Sequence, residues 1–570
     1  MPGAEGDAAA PLALVRGIPL AQEPGLGALT LPGFLHEVTA RYAPNEALVM
    51  HGSAGVERWS YRTLWERSVE VARALLACGA GKNCRVGILM SNRPEWVSGC
   101  FGISLAGGTV VGLSTFSTPA ELEHLLQASA VSILLFERRV AGKDFLAALR
   151  QLEPATDGAA PGALESAKFP FLRHLVMVDG GDATGGIECW PDFLARGAAV
   201  PPALVAATAA AVTPADPAIL FFSSGSTGKP KGILNGQRGV NIQSWRWRRI
   251  YAFTGPVRTW SPNGLFWSGN FSLSLGGTLS VGGTLILQPT FVPAEAIRLL
   301  QAERVTLPYC WPHQWAQLEA EPGWDTADLS SFHYFDVERN LHRPQRSITT
   351  SWHEPRASYG STETFTISTS CPVDAPREQQ AGNHGEPLPG NTLKIVDPDT
   401  GRTLRRGETG EIAVKGPTLM LGYLGVPVEE ALDAEGFYRS GDGGHIDERG
   451  RLFFAGRIND IIKTGGANVS PVEVDWVLGA CPGVKVCKTT GVAHPTLGEM
   501  VVSLIVREQD QALTAAEVLA YLRERLAAYK LPRRVLFVSA ADLNLTGTAK
   551  IKPAEARALA ARLLAAAPPA

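Results

Sequence analysis

The sequence lacks a strong charge of either sign. Its 570 residues carry a formal net charge of −3, and charged residues make up 19% of the chain. It has no long run of Lys and Arg, which argues against a nucleic-acid partner because phosphate backbones are bound by clustered positive charge. Hydrophobic residues make up 45% of the chain, which excludes a disordered protein.

Cysteine motifs are missing as well, and the N-terminal residues do not predict a secretory leader. None of the eight cysteines forms a C-x-x-C pair, and a chain of this length needs no disulfides to be stable. Glu5 and Asp7 stand where a secretory signal carries Lys or Arg. We therefore expect reduced thiols, a cytoplasmic location and a loose N-terminal arm.

Unbroken apolar runs of membrane-spanning length are also absent. Two uncharged stretches, 96–120 and 259–294, are longer than the roughly 18 residues that indicate a span. However, Gly, Ser, Thr, Asn or Pro interrupts both every few residues. Their short apolar runs are typical of strands, so we expect buried strands and helices and no integral membrane span.

An alternation of strand and helix patterns runs through the first half of the chain. CRVGILM (84–90) and GGTVVGLS (107–114) are short apolar runs, and PAELEHLLQAS (119–129) has apolar residues at helical spacing. Such runs are typical of strands buried on both faces. The pattern predicts an α/β fold, with helices covering mostly parallel sheets.

The second half of the chain has a different texture. Short strands with close turns such as DPDTG (397–401) predict a small β-rich subdomain over 382–456. The residues after it mix strands and helices in a compact way. We expect three parts, which are an arm at 1–33, a large domain at 34–456 and a small α+β domain at 457–570.

The strongest local chemical signal is ILFFSSGSTGKPKG, residues 219–232. Small residues after a strand let backbone N–H groups approach an anion, while hydroxyls and lysine add donors and charge. It is not a Walker A loop, because Ser replaces its first Gly and Pro follows its Lys. The predicted phosphate-binding residues are Ser223, Ser224, Gly225, Ser226, Thr227, Gly228 and Lys229.

This loop and four later motifs resemble, in order, those of the AMP-forming adenylating enzymes. That family includes acyl- and aryl-CoA synthetases, peptide-synthetase adenylation domains and beetle luciferases. The four motifs are ASYGSTETF (357–365), GFYRSGDGGHIDERGRL (436–452), FFAGRINDIIKTGGANVSPVEVD (453–475) and LNLTGTAKIKP (543–553). The resemblance extends from about residue 34 to 553, and it implies a large AMP-binding domain with a mobile C-terminal lid.

The first of these motifs would hold the nucleotide. By the resemblance, Tyr359 lies against adenine, with Gly360 and Ser361 in the same turn. Thr362 would touch the α-phosphate, and Glu363 would hold Mg²⁺. A carboxylate suits this ion because a hard cation that bridges phosphates prefers oxygen ligands.

The remaining nucleotide contacts come from later motifs. The resemblance implies that Asp442 accepts hydrogen bonds from both ribose hydroxyls and that Arg457 contacts the ribose. Lys550 would reach the carboxylate and the α-phosphate. The family usually has Gly before this lysine, where this chain has Ala549, but the Thr-x-Thr-x-Lys-Ile register favours Lys550 over Lys552.

The implied reaction has two steps. A carboxylate attacks ATP to give an acyl-adenylate and pyrophosphate, and the thiol of CoA then displaces AMP. Lys463, Gly465 and Gly466 would face the site in the second step, with Asn459 as the hinge. A carrier-protein phosphopantetheine supplied in trans is the alternative acceptor, and the sequence leaves homo-oligomerisation open.

The acid is expected to be apolar or aromatic. Amino-acid-activating relatives carry Asp where this chain has Trp267, and a buried ammonium without a carboxylate would be costly. Trp267 and Phe271 are expected to wall an acyl pocket, although they would also suit an ordinary core. Residues 333–344 (HYFDVERNLHRP) replace a small-residue Gly-Gly-Ala-like segment. If their charges line the pocket, the substrate carries a polar group.

Overall fold

The structure is a computed structural model. It describes residues 11–53, 55–181, 183–223, 230–343, 345–355, 358–464, 467–495, 497–508, 512–526, 530–543, 551 and 553–566. Of residues 223, 377, 459, 467 and 468 it describes the backbone alone.

A mostly parallel sheet of eight strands forms the first layer. Its order is 187–189, 174–177, 133–136, 85–89, 109–112, 217–223, 231–236 and 422–423. The first six strands are parallel to one another, whereas the last two pair antiparallel. Strand 133–136 is buried at every residue, as expected for an apolar run between two helical layers.

A second sheet has five strands, in the order 307–308, 258–260, 284–287, 46–52 and 55–60. The first four are parallel, and the last closes an antiparallel hairpin. One apolar cluster joins both sheets to the helices around them, and its largest members include Phe34, Trp96, Phe101, Phe221 and Phe271. These findings confirm the α/β fold class.

Helices of this part begin where the sequence supplies caps. The Oγ of Ser60 accepts a hydrogen bond from the N–H of Thr63 at 3.1 Å, and Thr118 and Glu121 form a capping box. The helices are Leu31–Arg41, Tyr61–Ala77, Pro94–Leu105, Pro119–Ser129, Phe145–Leu152, Trp190–Arg196, Pro202–Ala210, Gln237–Ile250, Ser268–Asn270, Thr278–Ser280, Pro293–Ala302, Pro312–Ala320, Val337–Asn340, Arg377–Gln380 and Val428–Ala431. A π-helix, Phe271–Gly277, lies among them.

A third, antiparallel sheet follows these two layers. Its strands are 14–16, 392–396, 410–415, 438–446 and 452–457, in that order. A smaller sheet next to it joins strands 358–359, 369–370 and 386–387. The strands over 386–457 lie where the sequence predicts a β-rich subdomain, although the domain boundaries themselves stay predictions.

The N-terminal arm is not loose from residue 12 onward. Strand 14–16 completes the third sheet, and Glu23 forms a buried ion pair with Arg246 at 2.9 Å. The side chains of Arg246 and Glu23 are 1% and 3% exposed. The expectation from the Ala, Gly and Pro content was therefore wrong for these residues, because a distant charge holds them against helix Gln237–Ile250.

The C-terminal part is a smaller α+β unit. Its sheet runs in the order 467–469, 462–464, 498–507 and 484–494, and strand 534–537 pairs parallel with 498–507. Helices Pro471–Gly479, Ala515–Arg523 and Pro553–Ala566 accompany it. The 3₁₀ turn Ile458–Asp460 connects this unit to the third sheet.

Within the described residues, no single helix has the length and apolar composition needed to cross a membrane. Two neighbouring helical segments, Trp190–Ala199 and Pro202–Ala210, have this length and composition only when they are taken together, and the chain bends by 91° between them.

Removing Glu23 should destabilise the protein. The Glu23→Ala variant leaves the Arg246 guanidinium buried without its carboxylate, so we expect a loss of about 3–5 kcal/mol in the free energy of unfolding, measured by urea denaturation. Glu70→Ala is the matched control, because Glu70 pairs with Arg67 on an exposed helix face. A loss within about 0.5 kcal/mol for both variants would contradict this role.

Candidate active site

The predicted phosphate-binding loop connects two paired strands. Ser223 ends strand 217–223 and lies opposite Lys231, the first residue of strand 231–236. Residues 224–229 lie outside the described residues, as do Gly465, Gly466 and Lys550. The strands that flank the loop are described, and the side chain of Lys231 is exposed at the start of the second strand.

A sharp turn follows Tyr359. A Cβ on Gly360 would come within 2.1 Å of the carbonyl oxygen of Thr366, so this position requires glycine. The N–H of Ser361 donates to Oγ1 of Thr364 at 3.0 Å and caps the 3₁₀ turn Thr362–Thr364. Phe365 and Thr366 then adopt φ of 46° and 78°, the left-handed region that side chains disfavour.

The turn presents Glu363 close to the strand that follows the predicted phosphate-binding loop. Tyr423 donates a hydrogen bond from Oη to Oε1 of Glu363 at 2.9 Å, and the N–H of Met420 donates to the Glu363 carbonyl at 2.7 Å. The Tyr423 ring lies 5.4 Å from Nζ of Lys231. Burial, and then the charge of Glu363, raise the pKa of Tyr423, so its phenol stays a donor.

A single carboxylate at this point suits Mg²⁺ when ATP supplies the other ligands. Three or more His, Cys, Asp or Glu side chains in metal-binding geometry are not found within the described part of the chain. Oε2 of Glu363 has no hydrogen-bond partner there, so it is the atom that fits a cation.

Asp442 lies at the centre of a second cluster. Its Oδ2 accepts a hydrogen bond from the Oη of Tyr359 at 2.7 Å, and its Oδ1 lies 2.9 Å from Nε of Arg457. Asp442 and Arg457 are cross-strand neighbours, and Nη1 of Arg457 also donates to the carbonyl of Ser440 at 2.8 Å. Burial raises the pKa of Asp442, and the charge of Arg457 opposes the rise.

The two aromatic residues expected to wall an acyl pocket have different surroundings. Trp267 is half-buried, its ring contacts Trp311 edge-on at 6.5 Å, and its indole Nε1 has no partner in the described structure. Phe271 is 1% exposed and packs among core rings, which are those of Trp96, Phe221 and Phe365. Phe271 therefore packs in the core in this structure, in contact with Phe365 of the turn that follows Tyr359.

The residue after Trp267 connects this region to the turn. Oγ of Ser268 lies 3.1 Å from Oγ1 of Thr362.

Asn459 lies in the 3₁₀ turn Ile458–Asp460, and Lys463 lies in strand 462–464 with its side chain exposed. The N–H of Lys463 donates to Oε2 of Glu499 at 2.8 Å.

Segment 333–344 lines a cavity of about 210 Å³. Five of its residues contribute to the wall, and these are Tyr334, Phe335, Asp336, Arg339 and Asn340. Further wall residues are Tyr251, Leu307, Pro308, Tyr309, Cys310, Trp311, Pro312, Trp315, Trp352 and Glu354. Asp336 and Arg339, two of the charged residues of this segment, therefore line a cavity, and Trp311 belongs to its wall.

The predicted site residues did not include Lys231, Ser268 or Tyr423, which the structure places next to them. Lys231 follows the predicted loop by two residues, so its charge was a usable signal. Tyr423 lies 60 residues from Glu363 and has no local pattern that indicates the contact.

Comparison with known proteins places these features in a family. The family model described as AMP-binding enzyme matches residues 35–424, and that of the AMP-binding enzyme C-terminal domain matches residues 473–550. The chain is 30% identical over 532 residues to a dioxo-octahydro-indenyl-propanoyl:CoA ligase of Mycobacterium tuberculosis, covering 91% of this chain and 97% of that protein.

Two further relatives agree. The indoleacetate–CoA ligase of Aromatoleum aromaticum is 30% identical over 508 residues, which are 88% of this chain and 93% of that protein. The crystal structure of the anthranilate CoA ligase AuaEII with anthranoyl-AMP superposes with a TM-score of 0.75 at 25% identity, covering 96% of this chain and 99% of the other. The family expected from the motifs is confirmed, and the chain belongs to the AMP-binding enzymes of the adenylate-forming superfamily.

Proposed function

We propose that this AMP-forming acid–thiol ligase activates an apolar or aromatic carboxylic acid and transfers the acyl group to CoA, with Mg²⁺ bound to its ATP. The observation that carries the proposal is the placement of Glu363 and Asp442. One turn connects them, since Tyr359 contacts Asp442 and Glu363 follows four residues later beside the phosphate-binding loop. A bound nucleotide would contact both groups, with its ribose at Asp442 and its phosphates at Glu363.

The charged groups have separate tasks in this proposal. The Asp442 carboxylate accepts hydrogen bonds from the ribose hydroxyls, and Arg457 holds that carboxylate in place. Tyr359 lies against adenine, and Thr362 contacts the α-phosphate. Glu363 holds the Mg²⁺, which would neutralise phosphate charge when bound.

Chemistry takes place at the α-phosphate. A carboxylate oxygen of the acid attacks phosphorus, the bond to the β-phosphate oxygen breaks, and pyrophosphate leaves. Lys550 offsets the negative charge that builds up on the α-phosphate. The CoA sulfur then attacks the acyl carbon and AMP leaves, with Lys463, Gly465 and Gly466 facing the site after rotation at Asn459.

The substrate class rests on Trp267 and on the names of relatives. Trp267 brings an indole where amino-acid-activating relatives have a carboxylate, so an α-ammonium would find no counter-charge there. Relatives are named for indoleacetate and anthranilate, and a feruloyl-CoA synthase of an Amycolatopsis species is 29% identical. Ring-containing acids are therefore the first to test.

The cellular setting is part of the same proposal. All eight cysteines are free, and several are buried. Free thiols in a chain of this size fit a reducing compartment, so we place the protein in the cytoplasm.

Pyrophosphate release distinguishes the acceptors. We expect release that depends on an acid from a panel of aliphatic, aromatic and dicarboxylic acids, that rises with CoA and that yields an acyl-CoA product. A rate of pyrophosphate release that does not depend on CoA would favour a carrier-protein acceptor. Absence of acid-dependent release across the whole panel would contradict the proposed function.

Lys550→Ala should separate the two half-reactions. Loss of its positive charge should slow adenylate formation on the order of 10²–10³-fold, because this charge stabilises the negative charge that develops on the α-phosphate. Thioester formation from supplied acyl-adenylate should continue. Lys552→Ala is the control and should preserve both steps, whereas an equal loss of both steps in Lys550→Ala would refute its assigned role.

The affinity for ATP should depend on pH through Asp442. Its ionised form accepts the ribose hydroxyls, and burial raises its pKa. The kcat/KM for ATP should therefore fall on acidification at a higher pH than the roughly 3.9 of an exposed aspartate. Asp442→Asn should remove this limb of the profile, while the exposed Asp325→Asn should keep it. If the acidic limb of the profile persists in Asp442→Asn, the titrating group is not Asp442.

A further inference from the structure

A chain of two tyrosine hydroxyls ends on the carboxylate of Glu363. Oη of Tyr423 donates to Oε1 of Glu363 at 2.9 Å, and Oη of Tyr438 lies 3.2 Å from Oη of Tyr423. A phenol has one proton, and Tyr423 uses its proton on Glu363, so Tyr438 is the donor in the second hydrogen bond. The chain of hydroxyls therefore runs in one direction, from Tyr438 through Tyr423 to Glu363.

The segment that carries Tyr423 also holds the backbone of Glu363. The N–H of Met420 donates to the carbonyl oxygen of Glu363 at 2.7 Å. The same segment belongs to the large sheet, because strand 422–423 pairs with strand 231–236. The edge of one sheet thus binds both the main chain and the side chain of Glu363.

The hydroxyl of Tyr423 leaves the second carboxylate oxygen of Glu363 for a cation. Oε1 is engaged, whereas Oε2 accepts no hydrogen bond from the residues that the structure describes. A glutamate side chain has several rotatable bonds, and fixing them on binding costs conformational entropy. A hydrogen bond that is present beforehand removes part of this cost, which is why carboxylates that bind metals are commonly held by a further group.

The surroundings of Tyr423 allow its hydroxyl to be tested apart from its ring. The side chain is half-buried, and Nζ of Lys231 lies 5.4 Å from the ring centroid. Tyr423→Phe keeps the ring and this contact but removes the hydrogen bond to Glu363. The variant therefore reports on the hydroxyl alone.

We propose that Tyr423 is a positioning residue, which orients the Glu363 carboxylate so that Oε2 is available to the Mg²⁺ of bound ATP. The hydrogen bond from Tyr438 strengthens the one that Tyr423 donates, because hydrogen bonds in a chain polarise one another. This inference rests on the proposed function, since it concerns the cation site of the same reaction. It makes the contribution of Mg²⁺ to ATP binding depend on a hydroxyl 60 residues away in sequence.

Calorimetric binding of ATP to the full chain, with Mg²⁺ and with EDTA in its place, tests the proposal. The ratio of the dissociation constant in EDTA to that in Mg²⁺ measures what the cation contributes to ATP affinity. Tyr423→Phe should lower this ratio by about tenfold, as expected when a partner of a metal-binding carboxylate is removed. Its affinity for metal-free ATP should match that of the wild type.

Tyr521→Phe is the matched control. Oη of Tyr521 donates to the carbonyl oxygen of Ala480 at 3.0 Å, and the guanidinium carbon of Arg525 lies 3.8 Å from the ring centroid. Tyr521 thus has the same two kinds of contact as Tyr423 but not the contact with Glu363, so its variant should keep the wild-type ratio. An unchanged ratio in Tyr423→Phe, or an equal drop in Tyr521→Phe, would overturn the proposal.

Glu363→Ala, alone and combined with Tyr423→Phe, distinguishes positioning from a general structural effect. If Tyr423 acts through Glu363, the double variant should have the same ratio as Glu363→Ala, because the hydroxyl has lost the group that it orients. Two losses that add up in the double variant would overturn the proposal.

Tyr438→Phe is the second variant in case Tyr423→Phe fails to fold. It removes the donor to Tyr423 and should lower the ratio by about twofold, since it weakens the hydrogen bond to Glu363 without removing it. An unchanged ratio in Tyr438→Phe would count against the chain of hydroxyls and overturn the proposal in that case.

Failure of the proposed function would give a different result. The wild type would then release no pyrophosphate with any acid, but the binding measurement needs neither an acid nor CoA. A wild-type ratio well above one that falls in Tyr423→Phe would still support the role of Tyr423 at the cation. A wild-type ratio near one would overturn that role.

Discussion

The turn from Tyr359 to Thr366 is the constraint on which the site depends. Gly360 has no room for a side chain, and Phe365 and Thr366 hold left-handed backbone. Such a conformation costs on the order of 1–3 kcal/mol per residue and persists only when its surroundings impose it. Several parts of the structure impose it here. Phe365 packs in the apolar cluster shared by the first two sheets, and the hydroxyl of Tyr359 donates a hydrogen bond to Asp442 of the third sheet.

The same turn explains how distant motifs meet. Thr362 reaches the residue after Trp267, and Glu363 reaches Tyr423 at the edge of the large sheet. Asp442 is held beside Tyr359 by a hydrogen bond, and the pairing of its strand with the strand that ends at Arg457 brings Arg457 to the same carboxylate. Three sheets therefore contribute to the proposed nucleotide site, and the turn sets the distance between the residues proposed for the ribose and those proposed for the phosphates.

Much of this arrangement could be predicted from the sequence. Strand and helix alternation gave the α/β class, and the motif order gave the family. Side-chain environment was harder to predict, because an aromatic ring at helical spacing suits a pocket wall and a core equally. Phe271 proved to be buried with core rings, whereas Trp267 contacts the wall of a cavity. The ion pair of Glu23 with Arg246, 223 residues apart, leaves no trace in local composition.

The most direct test of the central claim is the exchange of labelled pyrophosphate into ATP without CoA, in the wild type and in Glu363→Gln. The account predicts exchange that requires the acid and that falls at least tenfold in the variant, since Glu363 is the residue proposed to hold the cation on the phosphates. Glu70→Gln is the control and should exchange as fast as the wild type, because Glu70 pairs with Arg67 on an exposed helix face. Equal exchange in the wild type and Glu363→Gln, or exchange that ignores the acid, would contradict a site built on this turn.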